Sequence, residues 1–400
     1  MTEISPLTRA IRADIETDIT HGSVIAPIYM STNYAFEGFD EPRKYDYTRC
    51  GNPTRDVLAQ ALTTLEGGAG GIVTASGLAA ITNVLIMLTR VGDRVVIPHD
   101  CYGGTWRLFD SLAERGYFTL SLVDFTDEIA VRECLAQEPA PAVVWLETPS
   151  NPLMRVTDLK AVSDAAHAVG ATVVADNTFL TPILQRPFEH GADYVLHSTT
   201  KYINGHSDVV AGAVIAATDE NAEQLAWWAN VIGTPGSPFD SYLTMRGVRS
   251  LASRMRTHQE NAATVVDAVR THEAVAAVYY PGLADHPGQQ IIARQQDGPG
   301  AMLAFDLAGG VPAVKAFVEG LRALGYRRQR PQTMRQVVAH MALLSLRAGM
   351  RSGEMESLTW DNVYDNYVTL KKTKNGYERD VPLSRKARPI IERMRGWDDV

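Results

Sequence analysis

The stretch "ATVVADNTFLTPILQRPFEHGADYVLHSTTK" (171–201) holds two short apolar runs, "ATVVAD" (171–176) and "ADYVLH" (192–197). Neither shows the polar alternation of a strand with one wet face, and each ends in a polar cluster, "DNTF" after the first and "HSTTK" after the second. Such runs mark strands of a parallel sheet covered on both faces. The pattern recurs outward from this stretch in "GGIVTAS" (70–76), "DRVVIP" (93–98), "AVVWLE" (142–147) and "VVAGAVIAA" (209–217). Between runs lie helical patterns such as "LKAVSDAAHAVG" (159–170), with Leu159, Val162, Ala166 and Val169 on one face. Strands alternating with helices predict an α/β fold with a mostly parallel sheet.

Sheets of this kind bind ligands beyond the carboxyl ends of their strands. The polar segments fall there: "TASGLAAI", "PHDCYGG", "ETPSNP", "DNTF" and "HSTTK". Taken singly, each has an ordinary reading. Asp176 is a turn former at a strand end, Lys201 a surface lysine, and "SGLAAI" (76–81) a capped helix start. Taken together they supply an acid, a primary amine and, at a helix N-terminus beside Gly77, free backbone N–H groups for a phosphate. Ser198 and Thr200 add hydroxyls on the same rim. That set is what pyridoxal 5'-phosphate (PLP) needs: a lysine for the imine, a carboxylate for the pyridine nitrogen and a phosphate cradle. No G-x-G-x-x-G opens a helix after the first strand, so a dinucleotide fold is not indicated.

The chain has 400 residues, enough for two or three domains, with 45% hydrophobic and 21% charged residues. No apolar run reaches the length of a membrane span, and the opening "MTEISPLTRAIRADIETD" lacks the basic start and apolar core of a secretory signal. Three widely spaced cysteines, Cys50, Cys101 and Cys134, include no C-x-x-C pair, so neither a disulfide framework nor a metal site is expected. These features predict a cytoplasmic protein without membrane partners. Charge is uneven. Residues 326–400 carry 15 basic and 9 acidic side chains, net +6, whereas the rest carries 23 and 37, net −14. A basic tail on an acidic body suggests two units with different partners.

Residues 1 to about 325 resemble the Cys/Met-metabolism PLP-dependent enzyme family. The resemblance is carried by "FDEPRKYDYTRCGNPTRD" (39–56), "LEGGAGGIVTASGLAAI" (65–81), "PHDCYGGTWRLFDSL" (98–112), "ETPSNPLMRV" (147–156), "VVADNTFLTPILQRP" (173–187), "HSTTKYINGHSDVVAG" (197–212) and "LAWWANVIGTPGSPFDSYLTMRGVRSL" (225–251). It implies a fold type I (aspartate-aminotransferase-like) large domain with a seven-stranded, mostly parallel sheet. The implied organisation is an N-terminal arm over 1–50 that contacts a neighbouring subunit, a PLP-binding domain over 51–232 and an incomplete small domain over 233–325. Lys201 resembles the Schiff-base lysine, and Asp176 the partner of the pyridine nitrogen. Tyr102 would stack on the ring and take part in proton transfer. Gly77, Leu78, Ser198 and Thr200 would hold the phosphate. Tyr47 and Arg49 match a pair that reaches the phosphate of a neighbouring subunit, with Tyr47 also near substrate, which implies a homodimer at least and a tetramer by family habit. Asn151 would touch the cofactor's phenolic oxygen or the substrate carboxylate, and Arg107 the succinyl end of the substrate. The implied reaction is γ-replacement on an O-acylated homoserine by L-cysteine to give cystathionine. Sulfhydrylase and lyase activities use the same machinery.

After "AMLAFDLAGGVPAVKAFVEGLRAL" (301–324) that resemblance stops. The family's late arginine for the substrate carboxylate has no counterpart, so impaired turnover is expected. Residues 326–400 instead resemble a tyrosine recombinase (phage integrase) catalytic domain, an α+β fragment. "RAGMRSGEMESLTW" (347–360) resembles the segment with its first catalytic arginine, here Arg351, with Glu354 in support, and "KTKNGYERDVPLS" (372–384) the hairpin with its lysine, here Lys374. No His-x-x-Arg segment or nucleophilic tyrosine follows in order, so strand cleavage is not expected. The positive tail predicts at most weak, salt-sensitive attraction to nucleic acid. The arrangement reads as a chimera joined near residues 322–332.

Overall fold

The computed structural model describes residues 4–326, together with the strands at 367–370 and 379–382. By internal contacts the chain divides into Met1–Phe305 and Asp306–Val400.

The first unit opens with α1 (Pro6–Ile11) and an extended, largely exposed arm, then α2 (Pro53–Glu66). Asn52 starts α2 by accepting the amides of Thr54 and Arg55, Pro53 fits the first helical position, and Gly67 ends it at φ +79°. There follow β1 (Gly70–Thr74), α3 (Gly77–Leu88), β2 (Arg94–Pro98), α4 (Gly103–Glu114), β3 (Thr119–Val123), α5 (Glu128–Leu135), β4 (Pro141–Glu147), α6 (Leu159–Ala168), β5 (Thr172–Asp176), the short α7 (Thr181–Leu184), β6 (Tyr194–His197) and β7 (Gly212–Ala216). The unit continues with α8 (Asp219–Ile232), α9 (Pro238–Val248), α10 (Leu251–Arg270), β8 (Val275–Tyr279) and α11 (Gln289–Gln295), and ends within β9 (Ala304–Leu307). The second unit contains α12 (Gly310–Tyr326) and an antiparallel pair, β10 (Tyr367–Leu370) with β11 (Arg379–Pro382). The pair overlaps the stretch read as a hairpin. Arg351, Glu354 and Lys374 lie outside the described residues.

Seven strands form one sheet in the order β1-β7-β6-β5-β4-β2-β3. All run parallel except β7, which pairs antiparallel with both β1 and β6. The seven-stranded, mostly parallel α/β sheet of fold type I is therefore observed. Its two faces are both buried, and the side chains alternate between them. Val95, Ile97, Val143, Trp145, Val174 and Leu196 join α3, α4 and α8 in one core. Val96, Val144, Leu146, Val173, Ala175 and Val195 join α5 and α6 in another, and Ala213 and Ile215 join α2, α9 and α10. This explains why the strands read as unbroken apolar runs. Leu159, Val162 and Ala166 are buried as the helical period requires, and Val169 packs half-buried beside them at the helix end.

Candidate active site

The carboxyl ends of β1, β2, β4, β5 and β6 lie along one rim, because these strands are parallel. After β1, the Ser76 hydroxyl accepts the Ala79 amide at 3.0 Å, and the Ala80 amide reaches the Ser76 carbonyl. The amides of Gly77 and Leu78, the first two of α3, have no acceptor among the described residues. Two N–H groups are thus left open at the positive end of a 12-residue helix, the arrangement that binds phosphate. A Cβ on Gly77 would lie 3.0 Å from Ser198 Cβ and 3.1 Å from its hydroxyl oxygen, so glycine is what lets Ser198 close against the helix start.

Asp176 ends β5, in register with Glu147 of β4 and Leu196 of β6. By strand alternation Asp176 and Glu147 share the face of Val174 and Trp145. Asp176 accepts the Thr178 amide at 2.9 Å, and the Thr178 hydroxyl accepts the Ser198 amide at 2.9 Å, which keys the two loops together. Part of Asp176 stays open, yet it lies deep enough that desolvation pushes its carboxyl above the ordinary value, against the Thr178 hydrogen bonds and the charge of His197. Glu147 is buried and accepts the Tyr102 amide at 2.8 Å. Burial first, then the Asp176 charge, pushes it well above its ordinary value.

Lys201 lies in the turn after β6, with an exposed side chain that has no hydrogen bond or ion pair among the described residues. Its loop is stapled from behind by Arg254, whose guanidinium donates to the carbonyls of Tyr202 at 2.6 Å, Ile203 at 3.2 Å and Gly247 at 2.8 Å. The Thr200 hydroxyl is engaged by Ala211, accepting its amide at 3.0 Å and donating to its carbonyl at 3.1 Å. Tyr102 is half-exposed at the start of α4, its ring lying over Gly104, where any Cβ would strike it. Asn151 lies in the loop after β4. That loop is pinned by Ser150 donating to Asp100 at 2.6 Å and by Arg155 bound to Asp124 at 2.6 Å.

Two groups of predicted residues stand apart. Arg107 is exposed on α4 without a partner among the described residues. Arg49 stacks over the Tyr47 ring at 5.3 Å and donates to the Asn230 carbonyl at 2.7 Å and its side-chain oxygen at 2.8 Å. Within one chain, no hydrogen bond links either to Gly77, Ser198 or Lys201. A cavity of about 960 Å³ opens elsewhere, beside Arg132, Arg155, Asp158 and His286, and no predicted site residue lines it. Among the described residues no cluster of three or more His, Cys, Asp or Glu is placed to hold a metal ion, and no helix is long and apolar enough to cross a membrane.

The residues at the rim fit PLP. Two open amides and the Ser198 hydroxyl suit a phosphate, and the unpartnered amine suits an imine. A carboxyl strained by desolvation gains most from a cation brought against it, such as a protonated pyridine nitrogen. Sequence reasoning missed Glu147, Thr178 and Arg254. Glu147 and Thr178 stood inside quoted motifs as plain strand-end residues, and Arg254 lies more than fifty positions from the loop it holds.

Comparison with known proteins agrees with this geometry. The profile of the family "Cys/Met metabolism PLP-dependent enzyme" matches residues 7–371. The cystathionine gamma-synthase of Escherichia coli (strain K12) is 51% identical over 314 residues, 78% of this chain and 81% of that protein. The cystathionine beta-lyase of Lactococcus lactis subsp. cremoris (strain MG1363) is 43% identical over 314 residues, 78% and 82% of the two chains. Among solved structures, cystathionine gamma synthase from Xanthomonas oryzae pv. oryzae in complex with aminoacrylate and cysteine is 55% identical, with a TM-score of 0.78 over 80% of this chain and 82% of that one. The profile runs past residue 325, where the resemblance was expected to stop, and nothing in these comparisons supports the recombinase-like reading of 326–400 or a role in DNA integration.

Proposed function

The chain belongs to the Cys/Met metabolism PLP-dependent enzyme family, and on that footing we propose that it exchanges the γ-substituent of an O-acylated homoserine, O-succinyl foremost, for the thiol of L-cysteine. The products are cystathionine and the free acid. The observation that carries the chemistry is the Lys201 amine, unpartnered among the described residues, on the same rim as Asp176 and the Gly77 and Leu78 amides, which likewise have no acceptor among them. Relatives more than 50% identical are gamma-synthases, at 51% and 55%, which favours replacement over elimination.

Bound PLP supplies an electron sink for carbanions at the substrate's α- and β-carbons. Lys201 moves the protons: its amine takes one from the α-carbon, then one from the β-carbon, and returns them after the cysteine sulfur, its thiol proton released to solvent, has bonded to the γ-carbon. The acyl group leaves as carboxylate with the electron pair of the Cγ–O bond. Asp176 holds negative charge against the ring nitrogen, and Tyr102 covers the ring from its seat on Gly104. Asn151, on its pinned loop, orients the phenolic oxygen or the substrate carboxylate. Arg107, exposed and without a partner among the described residues, takes the far carboxylate of the succinyl group. Arg49 leaves Asn230 and, with Tyr47, reaches the phosphate held by a second copy, so that the smallest complete site is a dimer, and two dimers make a tetramer.

The test is an assay of the purified chain with O-succinyl- or O-acetylhomoserine, each with cysteine or sulfide. Cystathionine formed fastest from O-succinylhomoserine and cysteine is the expected result. Sulfide preferred over cysteine, or breakdown of cystathionine without synthesis, would move the chain to a sulfhydrylase or a lyase. A Lys201→Ala chain that keeps the parent's imine absorbance band, bleached by borohydride as in the parent, would overturn the lysine's role.

A further inference from the structure

Tyr102 is an unusual residue to open a helix. It is the N-cap of α4, where a short polar side chain normally turns back to accept an amide of the first turn, and no side-chain bond of that kind is made. The start of α4 is placed from outside instead. Glu147, the buried last residue of β4, reaches across from the strand beside β2, and its Oε2 accepts the Tyr102 amide at 2.8 Å. The loops after β2 and β4 are joined a second time, in the opposite sense. Asp100, two residues before Tyr102, accepts the Ser150 hydroxyl at 2.6 Å, and Ser150 directly precedes Asn151. Each loop therefore gives one carboxyl to the other. Between the two ties the Cys101 side chain is buried in the core that α3 and α4 share.

The direction of the Tyr102 ring follows from that backbone. The half-exposed ring leans against the first turn of its own helix, where Gly104 leaves it the space a Cβ would fill. A ring folded back in this way keeps its place only while the backbone at residue 102 is held, and the bond that holds it there from another element is the one to Glu147. We propose that Glu147 is a positioning residue for Tyr102: by holding the Tyr102 amide it fixes where the phenol ring stands over the rim, and so how well that ring stacks on PLP. The inference rests on the PLP reading above.

The test is a double-mutant cycle in the full chain, with Glu147→Ala and Tyr102→Ala made singly and together and read as the Kd for PLP titrated into the stripped protein. Glu147→Ala should weaken binding about fivefold, because a displaced ring loses most of what stacking supplies. Glu147→Gln, which keeps an oxygen for the Tyr102 amide, should bind as the parent does. In the Tyr102→Ala chain no ring is left to place, so adding Glu147→Ala should change Kd by less than about twofold. The visible circular dichroism of the bound cofactor should follow the same pattern, altered by Glu147→Ala in the parent and not in the Tyr102→Ala chain. An equal loss in both backgrounds would make Glu147 a residue of general structure and overturns the proposal. So does a folded Glu147→Ala chain with the parent's Kd, or a Glu147→Gln chain as weak as Glu147→Ala. If Glu147→Ala does not fold, Glu147→Asp, which keeps the carboxyl but withdraws it by one methylene, is read in the same two backgrounds. A parent chain that binds no PLP overturns the cofactor reading itself, and is seen before any variant is made.

Discussion

Gly77→Ala should weaken PLP binding without unfolding the protein. The new methyl would start 3.0 Å from Ser198 Cβ and 3.1 Å from its hydroxyl oxygen, against an optimum of about 3.5–4.0 Å between carbons. Either α3 or the Ser198 loop must give by about half an ångström. The loop is the softer partner, because Ser198 is held there only by backbone hydrogen bonds, its amide to Thr178 and its carbonyl from the Lys201 amide, whereas α3 is packed through Ala80, Ile81 and Val84. The motion displaces the Ser198 hydroxyl, and the methyl itself crowds the space over the open amides. Overpacking of this size costs about 1–3 kcal/mol, and about 1.4 kcal/mol is tenfold in affinity, so Kd for PLP should rise roughly five- to a hundredfold. Alanine within a helix is better than glycine by about 0.5–1 kcal/mol, which offsets part of the strain in the PLP-free protein. The assay is fluorescence or absorbance titration of stripped protein with PLP, alongside thermal melts without cofactor. An unchanged Kd would refute a phosphate cradle at this helix start. A collapse of Tm with Kd preserved would show that Gly77 is a packing residue only.

The remaining expectations concern charge, the loop staple, assembly and the tail. Glu147 and Asp176 have ordinary carboxyl values of 4.5 and 3.8 and are raised in the folded chain, so the fold holds their protons longer than the unfolded chain does. Stability of the PLP-free protein should therefore fall as pH rises above about 4 until both have ionised, and Glu147→Gln should flatten a plot of Tm against pH and raise Tm at pH 8. Arg254→Leu strips the donor from two carbonyls of the Lys201 loop and one of α9 and should cost about 2–4 kcal/mol in denaturant unfolding; a loss below half of that would mean water replaces the guanidinium. Arg49→Ala should weaken PLP binding even though Arg49 touches no cradle residue of its own chain, and sedimentation of a stable, fully loaded monomer would contradict the shared site. Replacing residues 326–400 by a family-type segment with a carboxylate-binding arginine should raise kcat/KM by roughly one to four orders of magnitude, the equivalent of about 2–5 kcal/mol for a desolvated ion pair; equal efficiency would show that the tail already serves.

The strands were legible because both faces of the sheet are buried. "ATVVAD" became Thr172–Asp176, "DRVVIP" became Arg94–Pro98 and "ADYVLH" became Tyr194–His197, each within two residues of its reading. β3 escaped because it is one of the two edge strands, with Leu122 half-exposed, and "TLSLV" reads as neither buried run nor clean alternation. The reversal of β7 was also hidden, since an apolar run has no direction.

The site divides along the same physical line. Residues that would touch the cofactor follow strand ends, and a strand end can be found from its own sequence, so Asp176, Lys201 and Gly77 were accessible one motif at a time. The residues that set their charge and place come from elsewhere in the chain. Glu66 meets His197 across 131 positions and Asn177 across 111, and Arg254 meets Tyr202 across 52. Glu66 stood only inside the quoted stretch "LEGGAGGIVTASGLAAI" and His197 only as the last residue of an apolar run, because a local pattern contains no term for a partner on another element. What the fold adds to the motif is therefore electrostatic. Burial between neighbouring strands raises the Asp176 carboxyl and the Thr178 hydrogen bonds lower it, while the Asp176 charge in turn raises Glu147 on the next strand, and no spacing rule joins these residues.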